Sequence, residues 1–199
     1  MSKNWKLFFN PFEQYAEKYL LITGISGGLV SVVLFWWLQQ TNDGIYHIAP
    51  DPGITLARAF IEVIIYTVLL CTLLSGLGKV INPKTRTIDV LSATLIHRIP
   101  LTIGILIIQL PFIKAATANI LQALKNNTLQ KLPVSTLWVS TLTSLLLLAF
   151  FVYAIVLLFN GFKTAAHAKK TSHYVLFALV LIIAEIIYRL LLYPLLLKF

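Results

Sequence analysis

The chain has 199 residues, of which 58% are hydrophobic and only 12% charged, with a mean hydropathy of +0.85. A soluble domain of this length carries about a quarter charged residues, and a disordered chain needs low hydrophobicity, so both classes are excluded. Lys and Arg number 16 against 7 Asp and Glu, a formal charge of +9. The basic residues sit between apolar runs, where they mark membrane-flanking connectors rather than a nucleic-acid surface.

The first segment, residues 1–19, carries Trp5, Phe8, Phe9, Phe12, Tyr15 and Tyr19, aromatic residues suited to a headgroup boundary. Asn10, Pro11 and Glu13 form a helix-start signal, with Asn10 as the expected cap. Five apolar segments are each long enough to cross about 30 Å of hydrocarbon. They run over residues 20–38, 54–77, 90–113, 135–159 and 174–197. Strands of a barrel would alternate in polarity over about ten residues, and nothing here does. The sequence therefore predicts an all-α integral membrane protein, one membrane domain with an interfacial N-terminal segment.

The first connector, residues 39–53, has two Asp and no Lys or Arg, with turn signals at Asn42-Asp43-Gly44 and Pro50-Asp51-Pro52-Gly53. The second carries Lys79, Lys84 and Arg86, and Thr87 is the expected cap of the third span. In the third, Ile113, Ile120, Leu121 and Leu124 recur at helical spacing, which predicts a short surface-lying helix. The fourth carries Lys163, His167, Lys169 and Lys170; Gly161 reads as a helix end, and Thr171 or Ser172 as the next cap. Counting Lys and Arg outside the spans gives nine on the side of the N-terminus and four opposite. The expectation is an N-terminus in the cytoplasm and a C-terminus outside.

Six ionisable residues fall inside spans: Arg58, Glu62, His97, Arg98, Glu185 and Arg189. Such residues are costly in hydrocarbon and mark a site or a buried pair. Arg58 and Glu62 share a helical face, as do Glu185 and Arg189 in the reverse order. The second and fifth spans run antiparallel, and a rise of about 1.5 Å per residue sets the two pairs at comparable depth. The expected pairing is Arg58 with Glu185 and Glu62 with Arg189. The cluster then either neutralises itself and holds two helices in register, or lines a polar cavity for a headgroup, ion or proton. His97 and Arg98 form a second, inner-leaflet polar site, with Arg98 reaching back to the boundary. Pro100 frees the carbonyl of Ile96 and predicts a kink there.

No catalytic or metal-binding motif is present, and the four His are far apart. No catalytic residue, metal site or cofactor is expected. Cys71 is the only cysteine and reads as a packing residue. Gly24-x-x-x-Gly28 is the nearest match to a helix-dimer motif and reads as close packing within the chain.

Three local segments carry a resemblance: Asn10 to Tyr19, the turn Ile81-Asn82-Pro83-Lys84-Thr85-Arg86, and Phe159-Asn160-Gly161-Phe162-Lys163-Thr164-Ala165. With five spans and a short basic fourth connector, the chain resembles the Yip family of integral membrane proteins, in particular its compact bacterial members. The resemblance implies a five-span fold and a membrane-organising theme in a bacterial inner membrane. It implies no catalytic residues. Eukaryotic members are tied to Rab GTPases through a long N-terminal region and an Asp-Leu-Tyr-Gly-Pro-type motif. Here about 19 residues precede the first span and no such motif occurs, which argues against Rab binding.

The leading functional expectation is a non-enzymatic membrane protein acting through lipids or other membrane proteins. Lys163, Lys169, Lys170, Lys84 and Arg86 are its expected contacts with anionic headgroups. The alternative is a transporter or channel subunit that uses Arg58, Glu62, Glu185 and Arg189, with Tyr66 or Tyr188 as a further member.

Overall fold

A computed structural model describes residues 7–198 of the chain. Five of its helices are long and apolar enough to cross a membrane: Glu17–Trp37, Leu56–Ile81, Thr87–Ile108, Val134–Ala166 and Thr171–Leu196. They are called the first to fifth spans. All-α architecture follows, as expected. The described residues fall into two compact units. One is built from the chain up to Ile99 and from Ala154 onward, the other from Pro100–Tyr153.

The N-terminal segment forms a 3-10 turn at Pro11–Glu13, and Asn10 makes no side-chain capping bond. Asn10 holds the cap position ahead of Pro11, as expected, but without the side-chain bond of a cap. The segment is tied instead to the fourth span, where Asn160 Nδ2 donates to the carbonyl of Phe9 at 2.8 Å. Tyr15 and Tyr19 are exposed, as an interfacial role requires; Trp5 lies outside the described residues.

The second span starts at Thr55, whose side chain accepts from Arg58 N at 3.1 Å. It stops at Asn82, because Pro83 cannot continue the helix. Thr85 Oγ1 then donates to the terminal carbonyls of Gly78 (2.9 Å) and Asn82 (2.7 Å). The third span begins at Thr87 with Arg86 at the cap position, so Thr87 is its first residue and not its cap. It is interrupted at His97 between Thr87–Ile96 and Arg98–Ile108. Pro100 has no N–H to give Ile96, which accounts for the break at this point.

In the second unit, Pro111–Lys125 is the short helix expected of the third connector. Ile113, Ala116 and Ala123 are buried, and Leu121 and Leu124 are exposed. The fourth span corrects the expected boundary: it passes through Gly161 and ends at Ala166. Gly161 is a close-contact residue, because a Cβ there would overlap Ala93 Cβ and press on the Phe12 ring. The fifth span starts after Lys170, which makes no side-chain cap, so neither Thr171 nor Ser172 is the cap. It loosens into a π turn at Tyr188–Leu192, where Pro194 takes away the N–H that would have bonded Leu190.

Helices in lipid associate through close packing rather than through expulsion of water. A Cβ on Gly24 would stand 2.6 Å from Leu95 Cβ, and one on Gly27 would stand 2.8 Å from Ile99 Cγ1. The Gly24-x-x-x-Gly28 face thus serves contact between the first and third spans of the same chain. Leu70 and Leu74 of the second span, Val90 and Ala93 of the third, and Leu158 and Phe162 of the fourth are fully buried.

Candidate functional site

The first connector turns inward. Its ends pair as a short antiparallel ladder, Gln40 with Pro50 and Thr41 with Ala49. Gln39, at φ 52°, reverses the chain out of the first span. Asn42 to Ile48 form the tip, and Asn42 and Ile45 are completely buried. A tip without regular structure carries free N–H and C=O groups. Among apolar helices, each such group left unpaired costs several kcal/mol.

The intramembrane ionisable residues supply the missing partners. Glu62 accepts from Thr41 Oγ1 (2.7 Å), Asn42 N (3.0 Å) and Arg58 Nε (3.1 Å). Glu185 accepts from Ile45 N (2.8 Å), Tyr46 N (3.4 Å) and Arg189 Nε (3.2 Å). Arg98 donates to the Ile45 carbonyl and to Asn42 Oδ1. Its guanidinium also lies 3.8 Å from the centre of the Tyr66 ring. Tyr188 Oη, at the start of the π turn, donates to the Asn42 carbonyl at 3.1 Å. Asn42 is thus held through its N–H, its C=O and its side-chain oxygen by three different spans. Arg58 reaches further along the connector to Asp51 at 2.9 Å. A Cβ at Gly44 would overlap Glu185 Oε1, so a side chain there would displace the Glu185 carboxylate from its present position against the tip. On the connector, burial holds the Tyr46 hydroxyl well above the ordinary phenol range, with Arg98 opposing and Glu185 adding to the shift.

This geometry corrects the pairing expected from helical arithmetic. Among the described residues, Arg58 pairs with Glu62 and Arg189 with Glu185, each within its own span. No ion pair joins Arg58 to Glu185 or Glu62 to Arg189. Arg98 does not reach back to the boundary either; it is 2% exposed near the middle of its span and binds the connector tip. His97 is fully buried beside it, with Nδ1 against Thr94 O at 2.7 Å and its ring 6.0 Å from that of Tyr46. The two expected polar sites are one site. Tyr66 and Tyr188, expected beside the charges, belong to it; Thr41 and Asn42 belong to it too and carry no motif, the available signal being a connector that holds Ile45, Tyr46 and Ile48.

A second polar feature lies in the same unit, where three separated segments converge. A cavity of about 370 Å³ is bounded by Phe12 and Glu17, by Asn82 to Ser92, and by Gly161 to His167. Lys84 and Arg86 line it, and Arg86 pairs with Glu17 at 2.6 Å. Lys163 points elsewhere, with its ammonium 5.9 Å from the Tyr174 ring centre. Lys169 and Lys170 are exposed. Among the described residues, no group of three or more His, Cys, Asp or Glu is placed to hold a metal ion.

Five apolar helices define an integral, multi-pass membrane protein. A model of the Yip1 domain matches residues 5–192, and the chain belongs to that family. Neither a curated protein nor a solved structure matches it.

Proposed function

We propose that this protein acts without catalysis, through lipid headgroups and membrane-protein partners. These meet the end that carries the N-terminal segment and the second and fourth connectors. In this reading that end faces the cytoplasm of a bacterial inner membrane, and the C-terminus lies outside. The observation that carries the reading is the engagement of the intramembrane charges. Both oxygens of Glu62 are bonded and the residue is fully buried, so the cluster serves the connector rather than an open path. A transporter built on Arg58, Glu62, Glu185 and Arg189 needs carboxylates that are free to exchange partners. The polar capacity left for other molecules is at the opposite end, on Lys84, Arg86, Lys163, Lys169 and Lys170.

Each basic residue near an anionic surface contributes about 1 kcal/mol. Replacing Lys163, Lys169 and Lys170 together by glutamine is therefore expected to weaken binding of the detergent-solubilised protein to phosphatidylglycerol vesicles by roughly a hundredfold. The measurement is vesicle co-flotation at low and high salt. Unchanged binding to anionic vesicles by the triple variant would remove the lipid part of the reading.

A further inference from the structure

We propose that the cavity bounded by Glu17, Lys84, Arg86, Asp89 and His167 receives a zwitterionic phosphoethanolamine headgroup. This deepens the lipid reading above and rests on it: the connector lysines attract an anionic surface, and the cavity selects one headgroup within it.

The walls of the cavity carry both signs. Lys84 and Arg86 are cationic, Glu17 and Asp89 are anionic, and His167 adds an imidazole. A bare phosphate would face two carboxylates, and a bare cation would face two basic side chains. A group bearing one phosphate and one primary amine, as phosphoethanolamine does, offers a partner to both sets. Lys84 and Arg86 are the cationic donors that the lining offers to the phosphate. Glu17 and Asp89 are the carboxylates of the lining, acceptors for a primary ammonium, which has three N–H groups to donate. A quaternary choline has no N–H to donate, so the same site discriminates against it.

The remaining walls suit a lipid. Phe12, Leu20, Gly161 and Ala165 line the cavity between the first and fourth spans. Tyr15 and Tyr19 nearby are exposed at the level expected of an interface. The volume of about 370 Å³ is at the lower end of small-ligand pockets, enough for a headgroup. The ion pair of Arg86 with Glu17 joins the two halves of the site. An entering headgroup exchanges that pair for one contact of each sign and leaves no charge uncompensated.

The test is native mass spectrometry of the full chain. The protein is exchanged into micelles holding equimolar phosphatidylethanolamine, phosphatidylglycerol and phosphatidylcholine with matched acyl chains. Retention of phosphatidylethanolamine over phosphatidylcholine by about tenfold is expected, the equivalent of one charge-assisted hydrogen bond. Glu17→Gln with Asp89→Asn should abolish that preference. Lys84→Gln with Arg86→Gln should abolish retention of phosphatidylethanolamine, while Arg86→Lys keeps it. Helicity by circular dichroism and elution volume confirm that each variant is folded; all four positions are at least partly exposed. A second arm adds water-soluble glycerophosphoethanolamine. Its retention would support the headgroup site and name a soluble ester as the source; retention of the diacyl lipid alone would name the membrane. Equal retention of phosphatidylethanolamine and phosphatidylcholine, or a preference between them that survives both double variants, would overturn the proposal. If phosphatidylethanolamine selectivity is absent but anionic vesicles still bind through Lys163, Lys169 and Lys170, the cavity assignment alone fails. If both are absent, the lipid reading beneath it fails too.

Discussion

Replacing Glu62 by alanine is expected to destabilise the protein by about 3–5 kcal/mol, the cost of removing one partner from a buried ion pair. The loss has three parts. Arg58 keeps its contact with Asp51 but loses its buried counter-charge. Thr41 Oγ1 and the amide of Asn42 lose their acceptor, and both are buried. The connector tip then has one N–H with no partner among apolar helices, a penalty of about 1–3 kcal/mol by itself. Glu62→Gln should fall between wild type and alanine. A glutamine oxygen accepts one or two of the three bonds, but its NH2 faces donors on the other side. The measurement is reversible unfolding in mixed micelles, following helicity against denaturing detergent. A loss below about 1 kcal/mol for Glu62→Ala would mean that the carboxylate is not what seats the connector.

Replacing Arg98 by lysine is expected to be nearly as damaging as replacing it by alanine, although the charge is kept. The guanidinium does three things at once: it bonds the Ile45 carbonyl and Asn42 Oδ1, and it stacks over Tyr66. A planar fork meets two acceptors and a ring face together; a point-like ammonium does not. Each charged hydrogen bond lost costs about 1.5–3 kcal/mol. The same unfolding assay checks this, and wild-type stability in Arg98→Lys would contradict it. Arg98 and Glu62 share Asn42, so the double variant should be less damaging than the two losses taken separately. The expected coupling is about 0.5–3 kcal/mol.

These two results would separate what was legible in the sequence from what was not. The spans were legible because nothing but length and apolarity is needed to define them, and the break at His97 followed from Pro100. The end of the fourth span was not. Gly161 was read through its conformational freedom, whereas the fold uses its lack of a side chain against Ala93. The charges were legible as expensive, but not in their use. Helical spacing pairs side chains with side chains, and Glu62, Glu185 and Arg98 each also bond connector backbone, which spacing does not reveal. Asn42-Asp43-Gly44 looks like any outward turn. Only the need to satisfy an inserted tip explains why three spans each give it a polar side chain. The cavity at the other end was illegible for a simpler reason. Its walls come from residues around 12, 84 and 164, and spacing along the chain says nothing about their convergence.

The central claim is that the intramembrane charges hold the first connector inside the bundle. It is tested most directly by the accessibility of Ile45. Cys71 is the only cysteine, so Ile45→Cys in a Cys71→Ser background offers a single thiol at a position with no exposed surface. The account predicts that a membrane-impermeant maleimide leaves this thiol unlabelled in intact membranes. A cysteine at the exposed His47, in the same background, should react readily. Adding Glu62→Ala should open position 45 to the reagent. Labelling of Ile45→Cys as fast as His47→Cys, with Glu62 and Glu185 both present, would contradict the account: the connector would then lie outside, and the charges would need another purpose.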